Sequence, residues 1–333
     1  MFDFGHARDY TPPMKIFITR IIPDRGLALV KEHFSTCDIW SADMPPAREE
    51  LLQRVRGVDG LLCLLTEKID GDLMDAAGPQ LKVISSMSVG VDHIDVAAAT
   101  VRGIPIGNTP GVLTDATADM AFALLFASAR RVVEGEKYVR SGGWKTWNPK
   151  LLLGADFVGA TLGIIGFGRI GRAVAKRAQG FDMHVIFYDP TAQPVYGANP
   201  VDIDTLLRMS DFVSIHVPLT EGTRHLVNAE FLAKMKPNSI LVNTSRGGVV
   251  DQSALYDVLK AEKIFAAALD VTDPEPLPMD HPLLELGNCL IVPHLGSASR
   301  HTRDMMSLLA AANLIAGLRG ERLPNCVNPE VYV

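Results

Sequence analysis

The stretch TLGIIGFGRIG, residues 161–171, constrains the fold of this chain more than any other. An apolar run ends in Gly166, Gly168 and Gly171, spaced GxGxxG. The helix-like RAVAKRAQGF follows, and then a second apolar run, HVIFYD, which closes on Asp189. A glycine triplet alone is a weak signal. Strand, glycine turn, helix, strand and acid in this order make a strong one, with the acid 189 − 171 = 18 residues past the last glycine. Each glycine has its own task. Gly166 permits the tight turn, Gly168 lets a pyrophosphate approach the backbone, and Gly171 lets helix and strand pack closely. The helix N-terminus then offers free N–H groups to phosphates, and Arg169 and Ile170 stand in its first turn, where Arg169 adds a positive charge. Asp189 can accept both hydroxyls of an adenosine ribose and repels a 2′-phosphate. Residues 190–197 contain no Lys or Arg to bind such a phosphate, so NAD(H) is favoured, with NADP(H) the alternative cofactor.

This unit begins near residue 163, so another domain precedes it, and 333 residues are enough for two. The first hundred residues alternate strand signals (MKIFITR, GLLCLL, LKVISSM, IPIGNTP) with amphipathic stretches (RGLALVKEHF, DGDLMDAAG). The second series has TLGIIGFG, HVIFYD, FVSIHVP, SILVNTS, FAAALDV and CLIVPH as its strands. Such alternation implies parallel sheets with helices on their faces. A single long helical stretch is expected from about Asp115 to about Ser141, and an Ala- and Leu-rich helix over His301–Leu318, placed back against the first domain. The fold class is therefore α/β: two Rossmann-like or flavodoxin-like doubly wound parallel-sheet domains with the active site in the cleft between them. The expected division is an N-terminal extension, 1–13; a substrate-binding domain of 14–111 and 295–333; and a nucleotide domain of 112–294.

Composition removes several function classes. Hydrophobic residues make up 47%, and the charge is 32 − 38 = −6 with no long basic run, which argues against nucleic acid as a partner. Cys37, Cys63, Cys289 and Cys326 form no CxxC pair, which argues against a metal site or a disulfide framework and fits a reducing, cytoplasmic compartment. MFDFGHARDYTPP is no secretory signal, and no uncharged apolar run reaches the roughly 18 residues of a membrane span.

Three polar features end strands of the second series: VNTSRGGVVD with Arg246, LDVTDPEPLP with Asp270 and Glu275, and IVPHLGSAS with His294. Parallel strands end on one side of a sheet, so these side chains can converge near the glycine loop. The prolines of the middle feature bar a helix or an inner strand and make a stiff loop. Arg can meet two oxygens of a planar 2-oxo acid at once. Hydride addition to its carbonyl makes an alkoxide, which a His beside a carboxylate is suited to protonate.

The motifs SVGVDHID, GFGRIG, VNTSRGGVVD, LDVTDPEPLP and PHLGSAS resemble those of the D-isomer-specific 2-hydroxyacid dehydrogenases, over nearly the whole chain from Met14. Within the family the likeness is greatest to members that reduce glyoxylate to glycolate and hydroxypyruvate to D-glycerate. The resemblance implies that Arg246 binds the substrate carboxylate and carbonyl oxygen, that His294 gives the proton, and that Glu275 holds His294 in orientation. It implies carboxylate contacts from the backbone of Val89 and Gly90, and a substrate side lined by Leu65 and Met87. It implies cofactor contacts from Thr114, His216, Val217, Pro218, Thr223, Thr244, Ser245, Asp270 and Gly296. It also implies a homodimer in which Trp144 reaches the partner's substrate site. Animal members of the nearest group often lack an acid at the position of Asp189 and use NADPH. A dehydrogenase for phosphoglycerate or bulkier 2-oxo acids, and a dinucleotide-sensing corepressor on the same fold, are the competing readings. No extra Arg cluster is present for a phosphate, so a small substrate is favoured.

Overall fold

The structure, a computed structural model, describes residues 14–191, 195 and 197–333, so the expected N-terminal extension lies outside the described residues. The chain packs as two units, the first ending at Val112 and resuming at Arg300, the second running from Leu113 to Ser299.

In the first unit the strands are β1 (Ile16–Ile18), β2 (Asp38–Ile39), β3 (Gly60–Cys63), β4 (Val83–Ser86) and β5 (Ile106–Gly107), in the order β2-β1-β3-β4-β5. All pairings are parallel. Short helices connect the strands, two of them capped by acids expected of such turns: Asp70 accepts from Leu73 N at 3.1 Å and Asp95 from Ala98 N at 2.8 Å. The helix Arg300–Leu318 belongs to this unit. Ser85 Oγ donates to the Ala310 carbonyl at 2.8 Å, and Gly26 N to Ser307 Oγ at 3.1 Å. A Cβ on Gly26 would lie 2.4 Å from the Ser307 carbonyl oxygen, so only glycine lets these two helices meet. Asn328 then ties the C-terminal segment to the β5 edge, accepting from Ile106 N at 2.8 Å and donating to the Ile104 carbonyl at 3.0 Å. That contact covers an edge that would otherwise stay open to pairing.

In the second unit the strands are β6 (Thr161–Ile165), β7 (His184–Tyr188), β8 (Asn199–Pro200), β9 (Phe212–Ile215), β10 (Ile240–Asn243), β11 (Ala266–Leu269) and β12 (Cys289–Ile291). The order is β12-β11-β10-β9-β6-β7-β8, again all parallel, and it reverses between β6 and β9. Side chains alternate between two cores. Ile164, Phe187, Phe212 and Val242 pack with Phe122 and Leu125 of the helix Thr114–Ala129. Ile165, Ile215, Leu241 and Leu269 pack with Leu206 and Leu255 on the opposite face. This period of two is what a strand buried on both faces requires.

Two expectations are corrected here. The stretch 115–141 is not one helix but two, Thr114–Ala129 and Val132–Arg140. Arg131 turns the chain with φ of +51°, and its guanidinium bonds the Glu134 carboxylate at 2.6 and 2.8 Å. Residues 295–299 stay with the second unit rather than the first, because the N–H groups of Leu295 and Gly296 are bonded to Asp270. β2 and β8, of two residues each, are too short to read as apolar runs.

Candidate active site

The glycine loop leaves β6 at the point where the strand order of the second unit reverses. Gly166 has φ of +88°, and a Cβ there would lie 2.7 Å from the His216 carbonyl group, so the turn packs on the end of β9. A Cβ on Gly171 would lie 2.2 Å from the Gly166 carbonyl oxygen. Gly168 is the opposite case: it caps the helix Arg169–Gln179 with open space around it, where a Cβ would meet no atom within 4 Å. Crowding at two glycines and emptiness at the third is the cradle a pyrophosphate needs. Asp189 follows β7, and its carboxylate accepts from Phe167 N at 2.7 Å and from the N–H and hydroxyl of Thr191 at 2.8 Å each. Asp189 is thus tied to the glycine loop itself.

The remaining expected cofactor residues of this unit lie on the loops after β9 and β10 and at one helix start. His216 is bonded through Nε2 to Ser214 Oγ at 2.8 Å, with Thr244 Oγ1 3.4 Å from its Nδ1. Burial pushes its pKa down to about 3, so it is neutral at physiological pH. After Val217, the carbonyl of Pro218 accepts from Thr223 Oγ1 at 2.6 Å, which closes the loop on itself. Thr114 opens the helix Thr114–Ala129. Arg169, the expected phosphate charge, is exposed in the first turn of its helix, where Ile170 is half-buried.

Because β10, β11 and β12 are neighbours in the sheet, the loops carrying Arg246, Glu275 and His294 emerge side by side. Asn243 shapes the first. Its carboxamide accepts from Ser245 N at 3.0 Å and Ser245 Oγ at 2.8 Å, and donates to the Arg246 carbonyl at 2.8 Å. Arg246 Nη1 donates to the Ser245 carbonyl at 2.8 Å. Gly247 lets this turn press on the acidic loop, since a Cβ would stand 2.0 Å from the Thr272 carbonyl. In that loop Glu275 Oε1 meets His294 Nδ1 at 2.6 Å. An ionised carboxylate only accepts, so Nδ1 carries the hydrogen in this pair and Nε2 is the nitrogen left for a substrate.

Asp270 is 2% exposed. Its carboxylate accepts from Leu295 N at 2.5 Å and Gly296 N at 2.8 Å, and its carbonyl from His294 N at 2.9 Å. Burial raises its pKa, and the two N–H groups act in the opposite direction. These bonds hold His294 at φ of +52°, a conformation that costs energy for a non-glycine residue. Gly296 is required beside them, for its Cβ would stand 2.9 Å from the Asp270 carboxylate. Asn243, Gly247 and Gln252 were absent from the sequence expectations. Their signal was a polar or small residue at the end of a buried strand or the start of a helix, which composition alone does not single out.

In the first unit, Val89 and Gly90 lie on the loop after β4. Asn108 Nδ2 donates to the Val89 carbonyl at 2.9 Å and Ser88 Oγ to the Gly90 carbonyl at 2.7 Å. Among the described residues neither N–H group of this pair donates to another loop or turn backbone carbonyl. Leu65 is 37% exposed, whereas Met87 is buried. Trp144, after the helix Val132–Arg140, is 60% exposed. Among the described residues there is no cluster of metal-ligating side chains and no helix long and apolar enough to cross a membrane.

The chain is similar to known proteins in sequence and in fold. Residues 122–296 match the family model for the D-isomer specific 2-hydroxyacid dehydrogenase, NAD binding domain. A glyoxylate reductase of Korarchaeum cryptofilum is 52% identical over 322 residues, 95% of this chain and 96% of the relative. A solved protein of Thermus thermophilus superposes with a TM-score of 0.89 at 48% identity, over 94% of this chain and 100% of that one. An NADPH-dependent glyoxylate/hydroxypyruvate reductase of Sinorhizobium meliloti, solved with NADP and malonate, has a TM-score of 0.83 at 31% identity, over 96% and 98% of the two chains. By the match of its nucleotide domain and by near full-length identity, this chain belongs to the D-isomer specific 2-hydroxyacid dehydrogenases.

Proposed function

We propose that this dehydrogenase reduces small 2-oxo acids, glyoxylate to glycolate and hydroxypyruvate to D-glycerate, with NADH preferred. The observation that carries the reading is the 2.6 Å pair of His294 and Glu275 beside the Arg246 turn. The glycine loop, Gly166 to Gly171, would hold a nicotinamide cofactor, which in its reduced form would supply the hydride for the carbonyl carbon. Arg246 binds the substrate carboxylate in a two-pronged contact and polarises the carbonyl oxygen. His294 gives the proton at Nε2 to that oxygen, which becomes the hydroxyl of the product. Glu275 keeps the ring oriented through Nδ1 and offsets the charge of the imidazolium. The N–H groups of Val89 and Gly90 are assigned to the carboxylate, and Leu65 to the side of the substrate. The relatives' names favour the small substrates. An assay of NADH oxidation with glyoxylate, hydroxypyruvate and pyruvate tests this; no turnover with the first two refutes it.

The family uses nicotinamide cofactors, and solved neighbours include complexes with NADP. The preference for NADH rests on Asp189. A 2′-phosphate would meet its carboxylate at close range, and residues 190–197 offer no cation in return. Hydrogen bonds to charged groups are worth about 1.5–3 kcal/mol, so the preference should reach at least about tenfold in kcat/KM. Measuring kcat/KM with NADH and NADPH for the wild type and Asp189→Ser decides the matter. A wild type that prefers NADPH, or an unchanged ratio in the variant, overturns it. A reducing, cytoplasmic setting accords with four free cysteines.

A further inference from the structure

The acidic loop runs from Asp270 to Pro278 without a strand neighbour, yet Glu275 must meet His294 at hydrogen-bond distance. One side chain outside the loop holds its backbone. Gln252 is the first residue of the helix Gln252–Lys260 and is 9% exposed. Its carboxamide Oε1 accepts from Asp273 N at 3.0 Å, and its Nε2 donates to the Asp273 carbonyl at 2.5 Å. One amide group thus pairs with both backbone groups of a single residue, as a neighbouring strand would. The helix start is itself fixed, since Asp251 accepts from the N–H groups of Ser253 and Ala254 at 3.1 Å each. On the other side, Gly247 stands against Thr272, and Thr272 Oγ1 donates to the Pro274 carbonyl at 2.9 Å. Asp273 is two residues from Glu275, so a displaced Asp273 displaces the carboxylate.

Resting on the reductase reading, we propose that Gln252 is a positioning residue for the Glu275–His294 pair, acting through the backbone of Asp273. It touches neither of the two and lies on a different element. Its effect is on the approach of a carboxylate to an imidazole, where small misplacements lower turnover strongly. Removing the carboxamide leaves two backbone groups without partners and lets the loop relax away from His294.

The experiment is a double-mutant cycle with Glu275. Turnover of glyoxylate is measured in the wild type, Gln252→Met, Glu275→Gln and the double variant, with NADH affinity read by fluorescence. Gln252→Met should lose about tenfold or more in kcat while NADH affinity stays within about twofold. In the Glu275→Gln background the same change should cost less than about twofold, because the pair it serves is already broken. Gln252→Glu keeps the acceptor for Asp273 N but sets a carboxylate oxygen against the Asp273 carbonyl, so its loss should be at least as large as that of the Met variant. If Gln252→Met does not fold, Gln252→Glu read in both backgrounds takes its place. An equal loss in both backgrounds, or no loss in either, overturns the proposal. A wild type inactive on every 2-oxo acid tried would refute the reductase reading itself, and the assignment of Gln252 would fall with it.

Discussion

Single atoms decide most of the chemistry at the residue scale. His294→Ala removes the proposed proton donor and leaves the glycine loop untouched. It should lower turnover by about 10²–10⁴-fold, the usual contribution of general acid catalysis, with NADH binding nearly intact. Steady-state kinetics and a binding titration check both halves, and unchanged turnover in folded protein would remove His294 from the mechanism. His216 gives a second prediction, in stability. Its folded pKa of about 3 lies below the ordinary 6.5, so the unfolded chain takes up a proton that the folded chain refuses. The stability from this group is present above pH 6.5 and is lost as pH falls from there toward 3. Between pH 7.5 and 5.5 it should cost about 1.4 kcal/mol, and His216→Gln should lack that part of the slope in denaturant unfolding. That the loops of Arg246, Glu275 and His294 leave the same edge of the sheet was legible in the sequence, because each follows the end of a parallel strand. The part of Asp270 was less so: the structure has its carboxylate holding the turn after His294, since burial demands a partner for every polar atom.

At the scale of an element, the glycine loop shows most clearly what packing adds to a motif. The sequence pattern gives each of the three glycines its own task, and the structure puts distances on the difference. Gly171→Ala would push a methyl group into the Gly166 carbonyl oxygen, 2.2 Å away, and should destabilise the fold by about 1–3 kcal/mol. Gly168→Ala meets nothing within 4 Å in the protein, so stability should hold while affinity for NADH falls. Thermal unfolding and NADH titration of the two variants separate the effects, and a destabilised Gly168→Ala with normal NADH affinity would contradict the assignment. The helical stretch 115–141 shows where local reading fails. Its composition suits one helix throughout, and the break at Arg131 is set by where Ala129 and Arg131 must sit. The Ala129 carbonyl accepts from Ala155 N at 2.9 Å, while Arg131 turns back to Glu134. Neither partner can be inferred from periodicity.

For the whole molecule, the expected homodimer now rests on different residues. In the helix Thr114–Ala129, Ala121, Phe122, Leu124, Leu125 and Ala129 are buried in the unit's own core and offer no surface to a partner. The uncovered apolar side chains come later: Val132, Val139, Trp144, Trp147 and Leu153, each more than half exposed. Large apolar side chains left in solvent are what a subunit interface would cover. Sedimentation should show a dimer, which Val139→Glu weakens, and Trp144→Ala should widen the range of substrates accepted. A monomeric wild type would refute the first expectation, and unchanged selectivity the second alone. By itself the sequence determined the alternation of strands and helices, the glycine loop with its acid, and the residues that end the strands. These are local matters of period, conformational freedom and charge. Only the tertiary structure decided the strand order, the break of the stretch 115–141 into two helices, and the partners of Asp270, Asn243 and Gln252. Those depend on contacts between residues far apart in the chain, where burial forces polar groups to pair and close packing admits only certain neighbours.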